Sequence, residues 1–254
     1  MLWRLPSKSV CAFLTLMFLY AGLTPGAACA GYIVYASGST PNDGPIAAQA
    51  EFIAGNGFIK VVLSNTQSGN ASPGVAVSQL FFQVNNISAP TGFSNTGGPN
   101  TGVSGNTISF GPPITTGTVT NGTPGDYHWG FASKGGVFAL LDVSSPGWDG
   151  PGGQPQYMII GPKAGGGPLE NNFDPYFNGS ATFFIVDPGI TANTTLNAST
   201  ISNVVFGFGT GPEKQLSGTQ AVPAPSSIVL VGIGGIGLAG FLLIRSRRRQ
   251  PAAA

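Results

Sequence analysis

Nucleophilic and metal chemistry needs particular side chains, and this 254-residue sequence holds few of them. His128 is the single histidine, and the only cysteines, Cys11 and Cys29, both lie within the first thirty residues. Zinc sites draw on several His or Cys ligands, so a zinc centre is not expected, and no motif calls for a cofactor. A Ser-His-Asp relay would have to use His128 with Asp126 two residues away, yet no G-x-S-x-G elbow supplies the serine. The imidazole reads instead as the neighbour of Trp129 on a half-exposed strand. Carboxylate pairs remain, because glycoside cleavage needs only an acid and a second carboxylate at fixed separation. Asp43, Glu51, Asp126, Asp142, Asp149, Glu170, Asp174 and Asp187 could supply them. Turn chemistry accounts for three of these, in Asn42-Asp43-Gly44, Trp148-Asp149-Gly150 and Asp187-Pro188-Gly189. Calcium could use the oxygen-rich loops, but the ordered D-x-D-x-D-G loop is absent, and Gly165-Gly166-Gly167 lacks the G-x-x-x-x-G-K order of a phosphate loop.

Aromatic rings beside amides and acids suggest a different chemistry. Trp148 lies in Pro146-Gly147-Trp148-Asp149-Gly150, and Tyr176 and Phe177 stand next to Asp174 and Asn178. Flat rings with polar neighbours can stack on sugar faces, so Trp148, Tyr176 and Phe177 are candidate glycan-binding residues. The other reading of the same rings is that they cap the core at strand ends.

The elements that must position these groups are strands. Charged residues make up only 7% of the chain, against 42% hydrophobic residues with 40 Gly and 21 Pro. That balance excludes disorder, collagen and coiled coil. Ser78 to Asn86 alternates, with Leu80, Phe82 and Val84 on one side and Gln79, Gln83 and Asn85 on the other, which predicts a half-buried strand. Asn56-Gly57 predicts a type I′ hairpin in which Ala50, Phe52 and Ala54 face Leu63, Val61 and Ile59. A one-residue slip would mix the apolar and polar faces. Further strands are expected at 32–36, 107–110, 127–131, 137–143, 156–160, 181–186 and 203–208. The apolar runs Phe138-Ala139-Leu140-Leu141 and Thr182-Phe183-Phe184-Ile185-Val186 belong in the middle of the sheet. About ten strands separated by Gly, Pro and Asn loops predict an all-β fold, a two-sheet antiparallel sandwich of the jelly-roll kind. Thr91-Gly92-Phe93-Ser94 and Thr101-Gly102-Val103-Ser104 are similar but do not continue as a repeat.

The two ends carry addresses. Arg4 and Lys8, an apolar run from Val10 to Leu23, and Ala28-Cys29-Ala30 make residues 1–30 a secretory signal peptide cleaved after Ala30, with Ala28 and Ala30 as the small residues the peptidase needs. Ile228 to Ile244 is an uninterrupted apolar stretch of 17 residues closed by Arg245, Arg247, Arg248 and Arg249. At about 1.5 Å per residue it can cross a bilayer with some thinning, and the arginines hold the tail, 245–254, in the cytoplasm. The exported body thus has no cysteine, and its four lysines against nine acids give it a net charge of −5. Without arginine it has no footprint for phosphate backbones, so nucleic acid is not an expected partner.

Val222-Pro223-Ala224-Pro225-Ser226-Ser227, followed by the apolar helix and the arginine cluster, resembles the PEP-CTERM sorting signal of exported bacterial proteins. The resemblance implies that the chain is parked in the inner membrane until an exosortase processes it near the motif, and that its products join an exopolysaccharide-rich outer layer. Pro223 and Pro225 match the family's two prolines. Ala224 stands where the family usually has Glu, so permanent anchoring is the other fate. The resemblance covers only about residues 222–249. Some exported proteins with this type of anchor bind ice through flat Thr-rich faces, and here Thr116, Thr118 and Thr120 supply one such patch. The expected organisation is a signal peptide (1–30), a β-sandwich (31–210), a linker (211–227), a membrane helix (228–244) and a basic tail. The expected function is a non-enzymatic surface protein, a structural or glycan-binding component of the extracellular polysaccharide matrix. The alternative is a secreted polysaccharide hydrolase using paired carboxylates.

Overall fold

Alternation around Asn56-Gly57 produces the hairpin it predicts. In the computed structural model, which describes residues 31–40, 42–67, 72–93, 103–110, 115–122, 128–142, 154–162, 173–211 and 214–220, β2 (Gly44–Ala54) and β3 (Phe58–Asn65) pair with Ala50 opposite Leu63, Phe52 opposite Val61 and Ala54 opposite Ile59. The turn itself differs from expectation. Gly57 has a φ of +82°, but Asn56 is not among the residues with positive φ, so the two positive angles of a type I′ turn are not both present. Tertiary bonds explain the change. The Gly57 N–H donates to the Ile190 carbonyl at 2.9 Å, and the Asn56 Oδ1 accepts from the Ala192 N–H at 2.9 Å, so the turn is shaped by the 187–192 segment it docks against.

Among the described residues there are fourteen strands and one short 3₁₀ turn (Pro73–Val75), joined in one large sheet. β1 (Tyr32–Thr40) pairs with β2, and β3 pairs with β11 (Tyr176–Val186). The far side of β11 carries β5 (Gly92–Phe93) and β6 (Val103–Ser109), and β6 carries β7 (Thr115–Gly122). A second group forms around β4 (Val77–Val84), which pairs with β9 (Val137–Leu141) and β12 (Ile201–Phe208). β8 (Gly130–Lys134) extends β9, and β13 (Lys214–Ser217) extends β12. β10 (Ile159–Ile160) joins the groups, running antiparallel to β4 and parallel to β11. That parallel step makes the sheet mixed, where an antiparallel one was expected.

The core forms where residues from the two groups meet. Phe52 on β2 and Phe82 on β4 share no ladder, yet their rings meet edge-on at 5.3 Å. Tyr32 adds to Phe52 at 6.3 Å, and Phe138 to Phe82 at 6.0 Å, giving a chain of rings through the main apolar cluster. Such pairs contribute about 0.5–1.5 kcal/mol each beyond their burial. β9 and β11 are central, as their double-sided apolar runs require. β4 departs from its expected half-exposure: from Val77 to Phe82 it is buried on both faces. It has neighbours along both edges, and a further cluster of Phe81, Ala139 and Leu141, packed with Val205, covers the face expected to be polar.

Asn65 closes the end of β3. Only 1% exposed, it donates from Nδ2 to the carbonyls of Val75 (2.8 Å) and Ile159 (3.1 Å) and accepts at Oδ1 from the Gln67 N–H (3.0 Å). One amide thus ties β3 to the 3₁₀ turn and to β10. Asn65→Ala, which strands these backbone groups, is expected to destabilise the fold by about 1–3 kcal/mol in urea denaturation.

Two expected boundaries move. The chain falls into two units, Met1–Thr219 and Gln220–Ala254. The first continues past residue 210, because β13 pairs with β12 and Leu216 packs on the main core. Gly218 lets the chain pass, since a Cβ there would meet Val34 Cγ1 at 2.4 Å. After it, the Thr219 Oγ1 donates to the Tyr35 carbonyl at 3.1 Å at the start of β14 (Thr219–Gln220). The expected linker from 211 is therefore partly sheet. The strand expected at 127–131 begins at Gly130, because His128 takes a left-handed φ of 56° and precedes it in a turn.

Candidate functional site

Tyr176 and Phe177 open β11, where successive side chains point to opposite faces. Both faces are covered. Phe177 lies in the main core with Tyr157 at 5.5 Å, and Tyr176 lies in a separate cluster with Met158 and Ile160, its ring edge-on to Phe110 at 6.0 Å. Each ring is 0% exposed. Neither ring has an open face in this arrangement, which favours the other reading of these residues, core caps at strand ends, over stacking on sugars. They cap and divide the core. Trp148, the third candidate, lies outside the described residues.

The described carboxylates are dispersed. The Asp43 Oδ1 accepts from the Ser72 hydroxyl, and the Asp43 backbone N–H donates to Thr40 Oγ1 at 2.9 Å. Asp174 Oδ2 accepts from the Phe110 N–H at 2.8 Å. Asp187 Oδ1 accepts from Ser88 Oγ at 2.5 Å and from the Gly189 N–H at 3.2 Å, the turn geometry its Asp-Pro-Gly setting predicts. Glu51 sits on the outer face of β2 opposite Ile33 and Val62. Among the described residues no group of three or more His, Cys, Asp or Glu is placed to hold a metal ion. Asp126, Asp149 and Glu170 lie outside the described residues, so a relay of His128 with Asp126 has no described geometry. Trp129 is 1% exposed and donates from Nε1 to the Tyr157 carbonyl at 3.0 Å, which makes it a core residue beside that histidine.

Asp142 is the exception among the acids. It directly follows β9, and its N–H donates to the Ser78 carbonyl at 2.9 Å, which places Asp142 opposite Ser78. Alternation from the Leu80–Leu140 and Phe82–Phe138 pairs turns both side chains toward the main core. Asp142 is 1% exposed and Ser78 0%, and neither carboxylate oxygen nor the Ser78 Oγ finds a hydrogen-bond partner among the described residues. Burial pushes the Asp142 carboxyl well above the usual range, because desolvation disfavours its charged form. A buried acid shifted in this way is a titration centre for the fold. At its depth it does not reach a polymer in solvent. In the sequence it was one of eight equivalent acids; the signal that could have singled it out was its place at the end of the apolar run Val137 to Leu141.

The address residues lie outside the described residues: Ala28 and Ala30, Val222, Pro223, Ala224, Pro225, Ser226 and Ser227, the apolar segment 228–244, and Arg245, Arg247, Arg248 and Arg249. Among the described residues no helix is long and apolar enough to cross a membrane. Compared with protein-family models, curated proteins and solved structures, the chain matches none.

Proposed function

We propose that the chain is an exported surface protein, anchored in the envelope or processed by an exosortase-type enzyme, whose all-β body serves as a structural component of an extracellular polysaccharide matrix. The body's sheet closes in this reading as a jelly-roll-like two-sheet sandwich. Support for the sandwich comes from the contact of Phe52 with Phe82 across unpaired strands and from the passage at Gly218 between the β12 and β1 edges. Support for export comes from the order of an apolar leader, a Pro-x-Pro-Ser-Ser motif, an apolar segment and four arginines, together with a body free of cysteine. The observation that favours a structural role over sugar binding is the complete burial of Tyr176 and Phe177, which leaves those rings no sugar-facing surface. The dispersal of Asp43, Asp174 and Asp187 into separate turns argues in the same direction against hydrolysis by a carboxylate pair.

The test follows the protein in the cell that makes it. A reporter fused at Gln220 is expected to be active only outside the cytoplasm, and the body is expected to fractionate with the extracellular matrix. A reducing-sugar assay on the producer's exopolysaccharide is expected to show no release. Cytosolic reporter activity overturns the export reading, and sugar release replaces the structural role with hydrolysis.

A further inference from the structure

Sheet edges are templates for another strand, and proteins that stay monomeric blunt them with lysine, proline or brevity. Five strands have a single ladder partner among the described residues: β5, β7, β8, β13 and β14. β5 and β14 are two residues long. β8 ends in the exposed Lys134, and β13 begins with Lys214. Two of the body's four lysines therefore sit on edges. Among the described strands β7 alone is unprotected by these means. It is eight residues long, Thr-Thr-Gly-Thr-Val-Thr-Asn-Gly, with no charge and no proline, and its neighbour β6 is equally uncharged. Its ladder with β6 shifts only beyond Val119, so Thr115–Val119 keeps regular register. Thr116 and Thr118 are exposed on one side of this stretch, while Val119 is buried on the other.

We propose that β7 is the surface through which two copies of this chain associate, by antiparallel pairing of Thr115–Val119 about a two-fold axis. The sequence suits its own mirror partner: centred on Gly117, the pairing sets Thr116 of one copy opposite Thr118 of the other, and threonine pairs directly across strands are favourable. Charge points to the same occupant. A body of net charge −5 repels its copies, and neither β6 nor β7 carries a charged residue, so pairing there sets no like charges opposite each other. The backbone donors and acceptors of an edge recognise a strand and have no selectivity for sugar, so a second copy is favoured over polysaccharide. The inference goes beyond the matrix role, and its charge argument rests on the exported body of that reading.

The experiment uses the full-length chain in detergent. Sedimentation equilibrium is expected to show reversible association of the wild type, and hydrogen exchange to show amide protection in 115–119 that rises with protein concentration. The double variant Thr116→Lys with Thr118→Lys sets like charges opposite each other and is expected to weaken association at least about tenfold, as is Thr116→Glu with Thr118→Glu. Mixing the two is expected to restore association, which a merely misfolded variant would not do. A wild type that stays monomeric overturns the proposal, as do charge variants that associate unchanged or a mixture that stays dissociated. So does protection of 115–119 that responds to added exopolysaccharide but not to concentration. None of these results depends on the location of the Gln220 reporter.

Discussion

Phe52→Ala is expected to destabilise the fold by about 3–5 kcal/mol. Phe52 is 0% exposed and stands at the junction of the ring chain, touching Tyr32 on β1 and Phe82 on β4. Truncation removes its own burial and leaves a cavity that the flanking strands cannot collapse into, because β2 is held by ladders on both sides. Domains are stable by only about 5–15 kcal/mol, so one such cavity consumes a large share of the total. The check is urea denaturation of wild type and variant. Adding Phe82→Ala is expected to cost less than the sum of the single variants, with a coupling of about 0.5–1.5 kcal/mol from the lost ring contact. Tyr35→Ala, on the outer face of the same sheet, is the control, with an expected change within about 0.5 kcal/mol. If Phe52→Ala behaves like Tyr35→Ala, the two strand groups do not share a core.

Asp142→Asn is expected to change how stability depends on pH. In the folded chain burial holds the carboxyl well above its usual range, so the native state retains a proton that the unfolded chain releases above about pH 4. The stability linked to this proton is present in full below the unfolded value and is lost as pH rises through the folded one. Over that window the loss approaches about 1.4 kcal/mol per pH unit. Asparagine cannot titrate. The variant is therefore expected to gain on the wild type as pH rises above the unfolded value, by up to about 1.4 kcal/mol per pH unit until the folded value is passed. Urea denaturation across this range, read as the difference between the two proteins, cancels the titration of the other acids. A difference that does not change with pH would mean that the folded Asp142 titrates as it does in water.

Much of the local structure was legible before the fold was known. The register of β2 on β3 followed from Phe52, Ala54, Ile59 and Val61, because only one alignment puts these side chains on one face. The central places of β9 and β11 followed from apolar runs with no polar side. β7 shows in the sequence only as a Thr-rich patch, because Thr-Thr-Gly-Thr-Val-Thr-Asn-Gly lacks an alternating apolar face, and its ladder with β6 is what makes it a strand. β13 reads as linker in the sequence for a similar reason: Leu216 is its single apolar anchor.

The candidate site was less legible, since exposure is a property of neighbours. Tyr176 and Phe177, set among Asp174 and Asn178, carry the local marks of a sugar-binding loop, but Met158, Ile160 and Phe110 arrive from distant parts of the chain to cover one face and Tyr157 the other. Asp142 likewise could not be told from the other acids until Ser78 and the core closed over it. The alternation of side chains is local and survives in any environment, so the all-β class, the hairpin register and the charge-poor body free of cysteine were set by sequence alone. Burial, the shape of the Asn56-Gly57 turn, the parallel step at β10 and the choice of β7 as the unguarded edge were decided by tertiary structure. Each depends on which distant strand lies alongside, and that is a free energy of the whole sheet that no short stretch of sequence contains.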